Sequence, residues 1–311
     1  MGFIKKLVGI SKFNFNFAFD HCSENNNFDN FNQTLVLNPL PSSYQKLIPL
    51  IPKKIWIYWQ GQDCLLVQKC VEKIRSLNPE FELYFLNQET IKQYSQIDYD
   101  HFPNISPQLK SDLIRLDLLT VHGGYWLDAS ILTYDHLGWI QTLINHNQTV
   151  SFGYYRKKNT TIPEFPVIET WLLATPPKNN FFSAWRNELL NVIEKTPKYY
   201  IQELKKNLKN VEDYFQNIGM LEYLCAYVAA QRIMRDHPPS ITLINCDKNA
   251  FFLQTQNRWN KYKVLDALAI QHKPEQMPKL IKLVGKERRL INTYYAKGKY
   301  KPHSLLAELN Q

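Results

Sequence analysis

The sequence has no run of about eighteen apolar residues, so no segment is expected to cross a bilayer as a helix. Its opening shows no small-residue cleavage site behind a long apolar core, and a secretory leader is therefore not expected. Cysteine is sparse: Cys22, Cys64, Cys70, Cys225 and Cys246 make an odd count without a CxxC pair. That pattern argues against a disulfide framework and for reduced thiols in a cytosol. Cys64 and Cys70 stand six apart on a predicted helix, which is not zinc-knuckle spacing, so zinc is not expected. Helix-turn-helix, zinc-finger and RNP-like aromatic patterns are all missing, as is any internal repeat.

What is present describes a globular chain. With 311 residues, 44% hydrophobic and 14% aromatic, it can bury one substantial core. A net charge of +9 would draw a phosphate-bearing substrate, an anionic lipid surface or nucleic acid. Since no nucleic-acid motif accompanies the charge, membrane-surface contact is the better use of it. The opening MGFIKKLVGISKF alternates apolar positions with lysines and predicts a short amphipathic helix lying on an anionic inner leaflet, where a lipid-linked acceptor would be found. Residues 14–32, rich in Asn and Phe, read as an irregular wrap. Residues 1–50 are accordingly expected to form an N-terminal extension and residues 51–311 the main domain.

The most informative stretch is SDLIRLDLLTVHGGYWLDAS, residues 111–130. Leu113, Leu116, Leu118, Leu119 and Val121 recur with helical spacing, with Ser111 able to cap the first turn. Asp112 and Arg115 then share one face. Gly123 and Gly124 end the helix in left-handed backbone, and Tyr125, Trp126 and Leu127 prefer a buried strand, which leaves Asp128 at the strand's carboxyl end. Ligands of open α/β sheets bind outside the carboxyl ends of strands, so the helix start and the strand end are expected to face one pocket. An acid, a fixed cation and a second acid delivered to one short loop suggest a nucleotide-sugar site. Ile55, Trp56, Ile57, Tyr58 and Trp59 likewise predict a buried strand ending at Gln60 and Gly61.

Four stretches together resemble the capsular polysaccharide synthesis family: IPKKIWIYWQG at 51–61, LNPEFELYFLN at 77–87, SPQLKSDLIRLDLL, and GGYWLDASIL. This bacterial group is related to glycosyltransferase family 32 and distantly to the glucosyltransferase domains of large clostridial toxins. The similarity runs from 51 to 139 and continues more weakly through PVIETWLLATPPKNNFFSAW to the KLIKL stretch. The resemblance implies a GT-A-like α/β fold, Rossmann-like, with a mixed sheet flanked by helices. It also implies a nucleoside-diphosphate-sugar donor such as a UDP-sugar, a divalent ion (Mn²⁺ or Mg²⁺), and retention of configuration as a hexose passes to a surface polysaccharide or lipid-linked saccharide.

Carried over by position, Asp112 and Arg115 inherit the donor-sugar role of the family's SDLLR segment, and Ser111 and Gly124 fall within the matched motifs. Asp128 inherits the first position of a DxD variant, serving ribose and metal, while Ser130 stands where the metal shell is usually completed. Ser130 offers a hydroxyl in place of a carboxylate, so the site has one negative charge fewer and its metal dependence is open. His272 is the candidate for closing the shell, with His303 behind it. Tyr58 or Trp59 is expected to stack on the nucleobase, one facing the cleft and the other core, because strand side chains alternate. Glu169 matches a family acid that contacts acceptor or sugar. Lys279 and Lys282 are candidates for electrostatic help to the leaving diphosphate.

Beyond the motif, residues 149–155 and 167–174 predict strands, while 181–193 and 221–234 have helical periodicity and form part of a helical subdomain at about 179–236. Residues 195–212 are charged and helical in propensity, with Tyr199 and Tyr200 in the first turns, and either edge the acceptor cleft or form a solvated face. Two other classes of function remain on the sequence alone: a sugar-binding or scaffold protein that has lost catalysis, and a basic nucleic-acid binder.

Overall fold

Large apolar residues fill both faces of the strands at 54–58 and 124–127, and this decides where the sheet lies. In the computed structural model, which describes residues 2–19, 28, 33–41, 43, 48–102 and 104–311, Trp56, Tyr58 and Trp126 enter one core while Ile55, Ile57, Tyr125 and Leu127 enter the other. The elements, in chain order, are α1 (Gly2–Phe19), β1 (Thr34–Leu37), β2 (Lys54–Tyr58), α2 (Leu65–Leu77), β3 (Glu82–Leu86), α3 (Pro107–His122), β4 (Gly124–Leu127) and β5 (Ile131–Thr133). There follow α4 (Gly138–Asn147), β6 (Ser151–Tyr155), β7 (Ile168–Thr175), α5 (Asn180–Lys195), α6 (Pro197–Asn207), α7 (Glu212–Phe215) and α8 (Cys225–Met234). The last group is β8 (Ile241–Asn245), α9 (Phe252–Gln256), α10 (Lys261–Ala269), β9 (Leu280–Lys282) and α11 (Gly285–Tyr295).

Among the described residues, seven strands pair in the order β1-β8-β6-β7-β4-β2-β3. The β3, β2 and β4 strands run parallel, β7 is antiparallel to both β4 and β6, and β6 is parallel to β8. The expected mixed α/β sheet flanked by helices is thus present. Helices α3, α5 and α8 cover one face, while α2 and α4 cover the other. A third apolar cluster joins α10, α11 and the C-terminal residues, with Phe13 of α1 set against Tyr294 at 4.5 Å. A second, two-stranded sheet, β5 with β9, ties residues near the C-terminus to the loop after β4.

Several expectations change. Residues 34–37, assigned to an extension, form the edge strand β1 and pair with β8 from Thr34↔Ile244 to Leu37↔Ile241. Residues 2–19 form one continuous helix, so the amphipathic segment outlasts residue 13 and the irregular wrap cannot begin at 14; most of 14–32, with Cys22, lies outside the described residues. Helix α3 starts four residues earlier than Ser111: Ser106 is the N-cap, its side chain accepting from the Leu109 N–H, and Pro107 occupies the first turn. Pro at that position lacks only an N–H that would be unpaired anyway, which makes Ser106-Pro107 the better start. Ser111 is consequently mid-helix.

Candidate functional site

The register of the sheet concentrates polar groups at one end. Because β2 and β4 are parallel, Tyr58 and Asp128 emerge on the same side. The antiparallel β7 pairs Leu127 with Leu172, so Glu169, Thr170 and Trp171 arrive at that same end. Strand β9 pairs Lys282 with Ile131, beside the loop that carries Asp128 and Ser130. Together with Gln108, Ser111, Asp112 and Arg115 of α3, these residues line a cleft of about 560 Å³, a size typical of small-molecule sites. Tyr223, Leu224 and Tyr227 close one wall, and the start of α11 with Arg288 and Arg289 closes another.

Arg115 is the centre of the floor and is only 4% exposed. Its guanidinium pairs with Asp112 through Nη1 and donates from Nη2 to Asp128 Oδ1 at 3.0 Å, while lying 5.0 Å from the Trp126 ring. Asp128 Oδ1 also accepts from the Trp126 indole at 3.2 Å, and Oδ2 accepts from Lys282 Nζ at 2.7 Å. Burial works to raise the Asp128 pKa, but Lys282 and Arg115 together hold it below the usual carboxylate range. Asp112 goes the other way: burial, reinforced by the nearby Asp128 charge, pushes it up to about 6 in spite of Arg115. Glu169, 5% exposed, is also raised by burial, although Tyr227 donates to its Oε2 at 2.8 Å and partly offsets the shift.

Of the residues singled out from sequence, Tyr58, Trp59, Ser111, Asp112, Arg115, Asp128, Ser130, Glu169 and Lys282 all line this one cleft. The expectation that only one of Tyr58 and Trp59 would face it does not hold. Alternation continues, with Tyr58 in one core cluster and Trp59 packed against the other, yet both border the cleft, where the Trp59 ring meets the Arg288 guanidinium at 4.6 Å. Gly124 does not line the cleft. It begins β4 while Asp128 follows its end, and its φ of +100° and the 2.5 Å from an added Cβ to the Lys54 carbonyl oxygen explain the glycine structurally. His272 is exposed, stacked on His303 at 3.8 Å, and neither ring lines the cleft. Lys279 pairs with Asp135 at 2.7 Å instead. The 195–212 stretch, which holds α6, also stays outside the cleft, with Tyr200 buried against Glu188.

Sequence reasoning missed Gln108 and Thr170, which lie within matched stretches, and Tyr223, Tyr227, Arg288 and Arg289, which line the cleft from elements outside them. A divalent ion would have to be held by Asp128 and Ser130, and the residues as arranged do not fit it. Both Asp128 oxygens are engaged by cationic or N–H donors, and Ser130 is neutral. Among the described residues, no three of His, Cys, Asp and Glu gather at a metal-binding spacing.

The profile of the family described as "Capsular polysaccharide synthesis protein" matches residues 25–297. Among curated proteins none matches the sequence. Solved structures resemble it distantly. "PaToxG Glycosyltransferase" is 13% identical, with a TM-score of 0.37, covering 94% of this chain and 95% of that one. The galactosyltransferase LgtC, in complex with donor and acceptor sugar analogues, is 12% identical, with a TM-score of 0.31, covering 62% of this chain and 87% of that one.

Proposed function

The chain belongs to the capsular polysaccharide synthesis protein family, and from that premise we propose that it is a retaining glycosyltransferase. It moves a hexose from a nucleoside-diphosphate sugar, a UDP-sugar in the first instance, to a saccharide or lipid-linked saccharide acceptor of a surface polysaccharide. The observation that carries this reading is Arg115, buried beneath the cleft and pairing Asp112 with Asp128. Such a bridge fixes two carboxylates of opposite character side by side. Asp128 stays ionised at neutral pH, whereas burial pushes Asp112 up to about 6 and also raises Glu169, and the carboxyl oxygens can accept hydrogen bonds from hydroxyl groups.

In this reading Asp112 and Arg115 orient the donor sugar, and Asp128 receives ribose hydroxyls. The flat faces of Tyr58 and Trp59 take the base. Lys282, Arg288 and Arg289 meet the diphosphate, whose charge grows as the bond to the anomeric carbon breaks. Glu169 and Tyr227 stand across the cleft where an acceptor hydroxyl would approach. The test is a panel of UDP- and GDP-sugars, scored for hydrolysis and for protection against unfolding, with wild type and Asp128→Asn. One donor should protect the wild type and be slowly hydrolysed, and the variant should lose both effects; protection by no donor would refute the assignment.

We also propose peripheral contact with an anionic membrane surface through α1. Among the described residues no helix is long and apolar enough to cross a membrane. Val8, Phe15 and Phe19 of α1 are exposed and fall on one helical face beside Lys12, while Phe13 turns inward. Co-sedimentation with phosphatidylglycerol vesicles should be lost on Phe15→Ser with Phe19→Ser; unchanged binding would refute it.

A further inference from the structure

The place a divalent ion would need on Asp128 is taken by a side chain of the protein itself. Lys282 is 8% exposed, and among the described residues Asp128 is the carboxylate with which its ammonium pairs. Its backbone is held on both sides: the Lys282 N–H donates to Ala250 O at 3.0 Å, and its carbonyl accepts from Gln254 Nε2 at 2.8 Å. The same Gln254 side chain donates to Glu287 Oε2 at 2.9 Å, and that oxygen accepts the Val284 N–H at the start of α11. Strand β9 and the first turn of α11 are therefore one braced unit. It presents Lys282, Arg288 and Arg289 to the cleft, and among the described residues neither arginine is paired with a carboxylate. A lysine at the surface would lose its geometry to rotamer freedom, whereas this one has a fixed main chain and a fixed partner.

We propose that Lys282 is the resident cation of the donor site, standing in place of a divalent ion and engaging the donor diphosphate together with Arg288 and Arg289. The inference rests on the glycosyltransferase reading. In the transfer, the bond between the anomeric carbon and the diphosphate oxygen breaks, and its electron pair goes to the diphosphate. The acceptor hydroxyl oxygen forms the new bond to that carbon and gives up its proton to solvent or a neighbouring carboxylate. The charge gained by the leaving group is then met by an ammonium and two guanidinium groups, which require no ion from solution.

The test is calorimetric titration of UDP into the full chain, in buffer stripped with chelator and again with Mn²⁺, alongside electron paramagnetic resonance of free Mn²⁺. The wild type should bind UDP with affinities within about threefold in the two buffers, and should sequester no more Mn²⁺ than UDP alone does. Lys282→Met should lose about tenfold in UDP affinity without metal, with Lys282→Arg recovering most of it. Pairing Lys282→Ala with Ser130→Asp should create Mn²⁺-dependent UDP binding. Wild-type affinity that rises about tenfold or more with Mn²⁺, with the ion sequestered, would overturn the role of Lys282 and leave the transferase reading intact. Failure to bind UDP or GDP in either buffer would instead sink the reading beneath it.

Discussion

Replacing Arg115 with methionine is the most direct perturbation of the cleft, because it removes one charge and leaves two carboxylates behind. Arg115 is 4% exposed and pairs with both Asp112 and Asp128. Removing one partner of a buried ion pair costs about 3–5 kcal/mol, since the remaining charge stays desolvated. Methionine keeps apolar bulk beside Trp126 but loses the guanidinium over that ring, and Lys282 still neutralises Asp128. The expected loss is therefore about 3–5 kcal/mol at about pH 8.

The pH dependence supplies the check on mechanism. Without Arg115, Asp112 loses the cation that opposes its burial and its folded pKa rises further above the unfolded value, while Lys282 still holds Asp128 ionised. An acid with a raised folded pKa contributes stability that is fully present below its unfolded value and is lost as pH rises through the folded one. The penalty should thus shrink as pH falls from about 8 to about 5. Over the same interval the wild type keeps the stability it draws from Asp128, which is depressed and is lost only at lower pH. Urea unfolding followed by tryptophan fluorescence at both pH values, with m compared to confirm that both chains expose similar surface, measures the difference. A loss under about 1 kcal/mol at pH 8, or an equal loss at both pH values, would refute the picture of Arg115 as a buried clamp.

Three further outcomes follow from the same geometry. Asp112→Asn removes a group whose pKa is pushed up to about 6, so between pH 4 and 7 the wild type should lose stability relative to the variant as pH rises; parallel stability curves would contradict this. Gly124→Ala should cost at least about 2 kcal/mol in urea unfolding, because the φ of +100° and the 2.5 Å approach to the Lys54 carbonyl leave no room for a Cβ. Trp59→Ala should weaken UDP binding by about 1–3 kcal/mol in calorimetry, and equal loss of ribose-free diphosphate binding would mean that the ring does not hold the base.

The part of the site most completely legible in the sequence sits on a single helix-turn-strand unit, while Tyr58, Trp59, Glu169 and Lys282 reach the same cleft from other strands or their ends. Within 111–130, helical spacing, the two glycines and the aromatic strand fix Asp112, Arg115 and Asp128 relative to each other without help from distant chain. Even there the start of α3 was misplaced, although Pro107 marked it, because Ser111 looked like an adequate cap. Depth was also hidden. An Asp–Arg pair three residues apart reads as a surface pair, whereas α3 is covered by β-sheet and by α5 and has Asp112, Arg115 and Asp117 buried. Longer-range features left weaker marks. Lys282 reaches Asp128 across 154 positions through a three-residue strand, and such a short element carries no period of its own. Edge strand β1 is almost as short, and His272, offered for the metal shell, stacks on His303 away from the cleft.

The two halves of the cleft come from different parts of the chain, and this explains how so many buried charges are tolerated. Asp112, Asp128 and Glu169 are carried by α3 and the main sheet; Lys282, Arg288 and Arg289 are carried by β9 and α11. Arg115 and Lys282 neutralise Asp128 from opposite sides, so neither the acid nor the bases are left desolvated alone. A diphosphate entering the cleft would compete with Asp128 for Lys282, and Asp128 would then keep Arg115 as its remaining counter-charge. Binding an anion therefore changes the partner of one lysine while Asp128 stays paired with Arg115, which allows the site to be both buried and ready for a highly charged ligand.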